Sequence, residues 1–324
     1  MDKERILVTG GSGFIGTNLI EAFLDKGDCE VMNIDALPPR NEAQKEYWKE
    51  VDITDYEKLH SAIIEFNPDY IVHLAARTDI LGHDVKDYPA NTIGVENMLK
   101  CCYDLPNLKK VLFTSSMLVM KSGHKATHIL DYCPPNAYGI SKVETENIVR
   151  NNHLTCDWAI LRPTSIWGPW FDTYKDFFKM IMAGRYLSFG KKLCTKTYGF
   201  VGNVVYQIDC LLKADTSKEK FEDRIFYLGD KPDYDISEWG QEIADICGKK
   251  IRHIPFFVII MAAYVGDFIK LFGVMPPMSS FRLRNMMTNN IMDVTPTFKY
   301  APKPPYTRKQ ASEITVNWIK GNNV

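Results

Sequence analysis

Two residues spaced four apart, Tyr138 and Lys142, are the side chains of this sequence best suited to do chemistry. On an α-helix, residues at this spacing share a face, so the phenol and the ammonium can point into one site. The ordinary pKa of a tyrosine is about 10, and a neighbouring cation favours the phenolate. We therefore predict that Lys142 lowers the pKa of Tyr138, and that Tyr138 then removes a proton from a substrate alcohol.

A glycine-rich segment near the N-terminus predicts a nucleotide cofactor. Gly10, Gly13 and Gly16 follow an apolar run at 6–8, where missing side chains permit a tight turn, close approach of a pyrophosphate and close helix packing. Asp35 ends the next predicted strand, about 20 residues further on, where a carboxylate can accept hydrogen bonds from the adenosine ribose. This favours NAD over NADP, although Arg40 downstream could receive a 2′-phosphate.

Composition narrows the class of protein. The 324 residues are 45% hydrophobic and 24% charged, enough for a large buried core. Lys plus Arg number 39 and Asp plus Glu 40, without a basic block, which argues against a nucleic-acid partner and favours a small-molecule substrate. The eight cysteines are irregularly spaced, without a CxxC pair or a Cys/His cluster, so we predict reduced thiols, a cytoplasmic location and no metal.

The first half of the sequence alternates apolar strand-like runs with helical stretches. This alternation predicts an α/β fold, a Rossmann-type doubly wound parallel sheet. Strands are predicted at 5–9, 30–34, 70–74, 110–115 and 158–162, and helices at 14–25, 56–66, 89–103 and 137–151.

The texture changes after residue 165, and we predict a smaller substrate-binding cap there. The NAD-binding core is assigned to 1–165, with 200–229 returning to it, and the cap to 166–199 and 230–324. Within the cap, 256–266 is uncharged, but it is shorter than the ~20 residues that span a membrane. We predict a buried or interface helix; contact with a membrane surface is a less favoured alternative.

With these features together, the chain resembles the extended short-chain dehydrogenases/reductases of the NAD-dependent epimerase/dehydratase family. The segment TGGSGFIG at 9–16 matches the family's TGxxGFIG, and the resemblance extends to at least Gly229. It implies an NAD-dependent enzyme that forms a homodimer. The cofactor-binding residues that it implies are Gly10, Gly13, Phe14, Ile15, Gly16, Asp35, Asp52, Ile53, Leu74, Ala75, Ala76, Asn91, Tyr138, Lys142 and Pro163.

The resemblance also implies a third catalytic residue. Ser116 lies just after a predicted strand and aligns with the family's catalytic Ser/Thr, where a hydroxyl can hydrogen-bond the reacting oxygen. The alternative for Ser116 is capping of the strand end. His73, on an apolar strand, is interpreted as a satisfied core residue. The catalytic set is thus Ser116, Tyr138 and Lys142.

Departures from the family pattern reduce the number of reactions that the enzyme could catalyse. Family dehydratases carry an Asp-Glu pair where this chain has Met117-Leu118-Val119-Met120, which argues against a 4,6-dehydratase and against the decarboxylases. Alcohol oxidation, ketone reduction and epimerisation through a transient ketone remain. A non-catalytic NAD(H)-binding sensor is the alternative of another class.

The substrate is less well defined by the sequence. Ser165 stands where nucleotide-sugar epimerases usually carry an asparagine, and the segment around Asn203 resembles the 3β-hydroxysteroid dehydrogenase-like branch. Arg282 and Arg284 favour a sugar nucleotide, because family members often clamp the diphosphate with an arginine; a solvated helix face is the alternative. We predict that Ser165, Asn203, Arg282 and Arg284 bind a nucleotide-linked sugar, with an apolar alcohol as the alternative substrate.

Overall fold

A parallel sheet of seven strands forms the centre of the protein in a computed structural model that describes residues 3–188, 194–270, 272–273, 276 and 279–322. The described strands are β1 (Glu4–Thr9), β2 (Cys29–Asp35), β3 (Trp48–Glu50), β4 (Tyr70–His73), β5 (Lys110–Thr114), β6 (Asp157–Pro163), β7 (Ser165–Trp167), β8 (Leu187–Ser188), β9 (Thr195–Lys196), β10 (Tyr198–Phe200), β11 (Ile225–Leu228), β12 (Tyr234–Asp235) and β13 (Arg252–His253).

The strand order of the large sheet is β11-β6-β5-β4-β1-β2-β3, with every pair parallel. The order reverses beside β1, and such a switch point leaves a crevice at the carboxyl ends of the strands. The described helices are α1 (Phe14–Lys26), α2 (Tyr56–Phe66), α3 (Ile93–Tyr103), α4 (Ala137–Arg150), α5 (Lys175–Met182), α6 (Val201–Lys213), α7 (Ile236–Ile246), α8 (Phe256–Lys270), α9 (Ser280–Met287), α10 (Thr295–Tyr300) and α11 (Arg308–Gly321).

Helices cover both faces of the sheet. One apolar cluster joins β1 and β4 to α1 and α6, through Leu19, Phe23 and Ile208 among others. A second cluster packs α2 and α3 against the opposite face, through Leu59 and Met98. Because both faces are buried, the central strands are continuous apolar runs such as Ile6, Leu7 and Val8. The predicted doubly wound α/β fold is confirmed.

Two sequence predictions needed correction. Helix α3 begins at Ile93 and not at 89, because Pro89–Asn91 forms a separate 3-10 turn and Thr92 has a non-helical conformation. Strand β3 was not predicted, since three residues give too short an apolar pattern; its Trp48 Nε1 donates to the Asp35 carbonyl 3.0 Å away. The other predicted strands and helices agree to within one residue at each end.

The C-terminal part adds three two-stranded sheets, β7 with β10, β9 with β12 and β8 with β13. An aromatic cluster around Trp167 and Trp239, whose ring centroids lie 4.8 Å apart, packs this part together. The division into core and cap residues remains a prediction. The uncharged stretch at 256–266 lies within α8, and residues 271, 274 and 275, which follow this helix, lie outside the described structure. Among the described helices, none has the length and apolar character needed to cross a bilayer.

Candidate active site

The turn between β1 and α1 requires glycine. Gly10 has φ +71°, and a Cβ there would lie 2.5 Å from the backbone nitrogen of Ala75. A Cβ on Gly16 would meet the carbonyl oxygen of Gly10. Helix α1 starts after Gly13, which has no side chain to cap the first backbone N–H groups, and Phe14 and Ile15 form its first turn. These N–H groups fit a pyrophosphate at the helix N-terminus.

Asp35 lies at the carboxyl end of β2, beside this turn. Its carboxylate accepts hydrogen bonds from the backbone N–H groups of Ser12 and Leu37, each 3.0 Å away. Burial raises the pKa of Asp35, and the two backbone bonds act in the opposite direction. The carboxylate is therefore held rigidly at the place where a ribose is expected.

Three further predicted cofactor positions, Asp52, Ile53 and Asn91, make mainly internal contacts. Asp52 Oδ1 accepts from the backbone and hydroxyl of Thr54, at 2.9 and 2.8 Å, and Ile53 is buried. The fully buried Asn91 donates to the Ser141 hydroxyl at 2.8 Å and accepts from the Arg77 N–H at 2.9 Å. Asn91 thus ties α4 to the segment that follows β4.

The residues after β4 adjoin the glycine turn. The N–H of Leu74 donates to the carbonyl of Thr9 at 3.0 Å, and that of Ala75 donates to the Thr9 hydroxyl at 3.3 Å. Ala76 follows them, and Pro163 occupies the corresponding end of β6, paired with β11. The predicted cofactor residues therefore follow strands β1, β2, β4 and β6 along one sheet edge.

Tyr138 lies in the first turn of α4, which Asn136 caps by accepting the Gly139 N–H at 2.8 Å. Its side chain is buried, 7% exposed, and packs against Tyr88 at a ring-centroid distance of 6.0 Å. The Ser116 hydroxyl lies near enough to the Tyr138 phenol to lower its pKa, and it accepts the Leu118 N–H at 3.1 Å. The structure therefore brings Ser116 and Tyr138 together.

Lys142 lies one turn beyond Tyr138, fully buried. Its Nζ donates to the carbonyl oxygen of Thr114, at 2.9 Å. Burial lowers the pKa of Lys142 to about 7, partly offset by the charge of Glu146. Burial also raises the pKa of Tyr138, and the nearby Ser116 hydroxyl acts in the opposite direction. Among the described residues, Lys142 is not one of the groups that shift the pKa of Tyr138, so its effect on Tyr138 stays a prediction.

A buried ion pair behind Lys142 was not predicted. Arg162 in β6 donates to both carboxylate oxygens of Glu146 in α4, at 2.7 and 2.8 Å, and neither side chain is exposed. The hydroxyls of Ser115 and Tyr132 also donate to this carboxylate, each at 2.6 Å. The available sequence signal was the spacing of Tyr138, Lys142 and Glu146, which places all three on one face of α4.

Two buried polar atoms close to Lys142 lack a hydrogen-bond partner among the described residues. They are Nε2 of His73 and Oγ1 of Thr114, at the ends of β4 and β5. His73 Nδ1 and the Thr9 hydroxyl are 2.7 Å apart, and burial lowers the pKa of His73 to about 3, so the ring is neutral. The interpretation of His73 as a satisfied core residue holds only for Nδ1. Unpaired buried atoms fit a site that a polar ligand completes.

The four predicted substrate residues are scattered. The Ser165 hydroxyl contacts Met117 Sδ at 3.9 Å, and Asn290 Nδ2 contacts the same sulfur at 3.9 Å. Ser165 and Asn290 therefore flank Met117, which follows Ser116. Arg282 and Arg284 are exposed on α9.

Asn203 has both ends of its amide occupied within the protein. It donates to Asp230 Oδ1 at 2.8 Å and to the Tyr306 carbonyl at 2.9 Å, and it accepts the Tyr306 N–H at 3.0 Å. These bonds explain why Asn203 is buried, and we do not propose that it binds the substrate.

A cavity of about 1090 Å³ is lined in part by residues between Met120 and Ile129. Asn290 lines it and also contacts Met117, so the cavity adjoins the rim of the site. Its walls combine apolar Met120 and Met292 with charged side chains of both signs. These are Lys121, Lys125, Lys299, Glu219, Glu222, Asp223 and Asp293, and Lys299 pairs with Glu219 at 2.8 Å.

Comparison with known proteins assigns the chain to a family. It is 27% identical to N-acetyl-alpha-D-glucosaminyl-diphospho-ditrans,octacis-undecaprenol 4-epimerase of Escherichia coli O157:H7, over 98% of this chain and 95% of that protein. It is 25% identical to a 3-beta-hydroxysteroid dehydrogenase of Mycolicibacterium neoaurum, over 78% of this chain and 73% of that one.

Among solved structures, a UDP-glucose 4-epimerase of Thermotoga maritima with UDP-glucose superposes with a TM-score of 0.72, at 21% identity, over 99% of this chain and all of the other; this shows the shared fold. The family model "NAD dependent epimerase/dehydratase family" matches residues 6–225. The predicted family, enzyme class and NAD cofactor are thereby confirmed: the chain belongs to the NAD-dependent epimerase/dehydratase family.

Proposed function

We propose that this enzyme interconverts a secondary alcohol and a ketone on a diphosphate-linked sugar, as a 4-epimerase or ketoreductase. The observation that carries the proposal is the buried Ser116–Tyr138 pair, on the same sheet edge as the glycine turn. Bound NAD supplies the hydride acceptor and donor in such a reaction. Tyr138 takes the hydroxyl proton during oxidation and returns it to the carbonyl oxygen during reduction, while Ser116 hydrogen-bonds that oxygen.

The electrostatics of Tyr138 favour the reducing direction. Because burial raises its pKa, the phenol keeps its proton at neutral pH and is ready to donate it to a ketone. Oxidation needs the phenolate, whose negative charge a buried site disfavours. We therefore expect ketone reduction to be efficient at neutral pH and alcohol oxidation to accelerate as the pH rises.

Lys142 is proposed to position the nicotinamide ribose. Its ammonium is already fixed by the Thr114 carbonyl, so it has a defined direction before any ligand binds. Gly10, Gly13, Gly16 and Asp35 are proposed to hold the pyrophosphate and the adenosine ribose, as their geometry fits.

Support for a sugar linked through a diphosphate comes from a relative that matches 98% of this chain, an epimerase whose name specifies such a substrate. The apolar part of the 1090 Å³ cavity, which adjoins the site through Asn290, suits the group attached to such a diphosphate. Arg282 and Arg284 remain proposed diphosphate ligands.

An apolar alcohol is the second candidate substrate, favoured by the methionines at the site. Met117 follows Ser116 directly and separates it from Ser165 and Asn290. Methionine adapts to irregular apolar ligands, and a 3-beta-hydroxysteroid dehydrogenase is among the relatives.

Product analysis separates the two candidates. The enzyme with NAD is incubated with UDP-N-acetylglucosamine, with a polyprenyl-diphosphate-linked N-acetylhexosamine and with a 3β-hydroxysterol. The sugars are examined by NMR, because an epimerase need not change the amount of reduced cofactor. We expect a C4 epimer or 4-keto product from a sugar substrate. Conversion of the sterol alone would refute the sugar proposal.

A further inference from the structure

The outer face of α8 is apolar, whereas the surface of a soluble protein is usually polar. Residues at helical spacing along this face are large, apolar and 57–71% exposed. A helix of a soluble domain normally presents polar side chains to water. The exposed stripe consists of Phe257, Met261, Tyr264, Val265, Phe268 and, just after the helix, Phe272.

The inner face of α8 packs against the rest of the protein. Ile259, Ala263 and Gly266 are buried at the complementary spacing, and α8 packs against α9. Asp267 accepts the backbone N–H of Ser280 at 3.1 Å, at the start of α9, so its carboxylate is engaged in joining the two helices. The exposed stripe is therefore held in place by a packed support.

The charged residues in the sequence around α8 are mostly cations. Residues 247–292 contain six Lys and Arg and one Asp, a formal charge of +5, although the whole chain carries −1. The cations lie before the helix, at its C-terminal end and in α9: Lys249, Lys250, Arg252, Lys270, Arg282 and Arg284.

From this combination we propose that α8 docks on an anionic lipid bilayer, lying in the interface. Aromatic and aliphatic side chains enter the boundary between headgroups and acyl chains, while lysines and arginines contact anionic headgroups. A second copy of the chain is the competing occupant. Pairing two α8 faces would bring two +5 segments together, which electrostatics disfavours and an anionic surface does not.

Docking of α8 would also orient the active site. The segment that follows α9 reaches the site through Asn290, whose side chain contacts Met117 Sδ. In a docked enzyme, one wall of the active site would therefore belong to a segment that closely follows the membrane-bound helices in sequence. The membrane proposal stands without the proposed substrate, because vesicle binding is measured without turnover.

The test is co-sedimentation of the full chain with vesicles of phosphatidylcholine alone and of phosphatidylcholine with phosphatidylglycerol. We expect binding to the anionic vesicles that weakens with salt, and a loss of more than about tenfold in the triple variant Phe257→Ser/Met261→Ser/Phe268→Ser. The matched control is Ile64→Ser/Met180→Ser, at apolar residues that are 39% and 46% exposed elsewhere. This control should bind as the wild type does.

Retained NAD binding and an unchanged thermal midpoint would show that the triple variant is folded. Equal binding of the triple variant and the wild type would overturn the proposal. So would absence of vesicle binding, or sedimentation velocity showing a wild-type dimer that the triple variant converts to monomer.

Discussion

Removing the charge of Glu146 should destabilise the fold more than any change at an exposed ion pair. Arg162 is fully buried, and its guanidinium also donates to the Ile129 carbonyl and the Tyr227 hydroxyl, each at 2.9 Å. In Glu146→Gln, the cation stays buried without its counter-charge. One amide end would also present N–H groups to the donors of Ser115 or Tyr132.

Breaking a buried pair by removing one partner costs about 3–5 kcal/mol, because the remaining charge is uncompensated. We expect a loss in this range for Glu146→Gln, measured by urea unfolding. The double variant Glu146→Met/Arg162→Met removes both charges and should regain much of the loss. Glu65→Gln, at an exposed pair with Lys49, is the control and should cause no measurable loss.

A loss below about 1 kcal/mol in Glu146→Gln, the value of an ordinary hydrogen bond, would refute this reasoning. A double variant less stable than Glu146→Gln would refute it as well, since no uncompensated cation would remain to explain the loss.

Two further predictions concern the cofactor edge. Gly10→Ala should weaken NAD binding by more than about tenfold in calorimetry, because its Cβ would collide with Ala75 where the phosphates approach. Gly27→Ala, also at positive φ but with its Cβ only in ordinary contact with the Leu24 carbonyl oxygen at 3.9 Å, should bind NAD normally. Because burial lowers the pKa of Lys142 from 10.5 to about 7, the unfolded chain binds more protons between these pH values. Between these pH values, the free energy of unfolding of the wild type should therefore rise with pH relative to that of Lys142→Met. Parallel pH dependences of the two free energies would contradict this prediction.

The sequence contained enough information to predict where the glycine turn and the acidic residue after β2 lie. Glycine spacing in the β1–α1 turn and an acidic residue after β2 reflect steric and electrostatic requirements that depend on a few neighbouring residues. Gly10 and Asp35 accordingly lie where the motif predicts. Tyr138 and Ser116 could be paired because both match catalytic positions of the family that the chain resembles.

What the sequence could not provide was the environment of each side chain. The direction of the Tyr138 pKa depends on burial and on where the Lys142 ammonium points, and both are set by distant segments. The same holds for Asn203, whose partner Tyr306 is 103 residues away. For α8 the sequence predicted a buried or interface helix, whereas one face of the helix is exposed. The apolar run alone could not distinguish these environments.

The most direct test of the central claim, that Tyr138 exchanges the substrate proton, is Tyr138→Phe. This change keeps the ring packed against Tyr88 and removes only the hydroxyl. Turnover should fall by at least about a hundredfold, the usual contribution of a general acid or base, while the Kd for NAD stays within about twofold of the wild type. Turnover close to the wild-type rate, with NAD bound normally, would contradict the account.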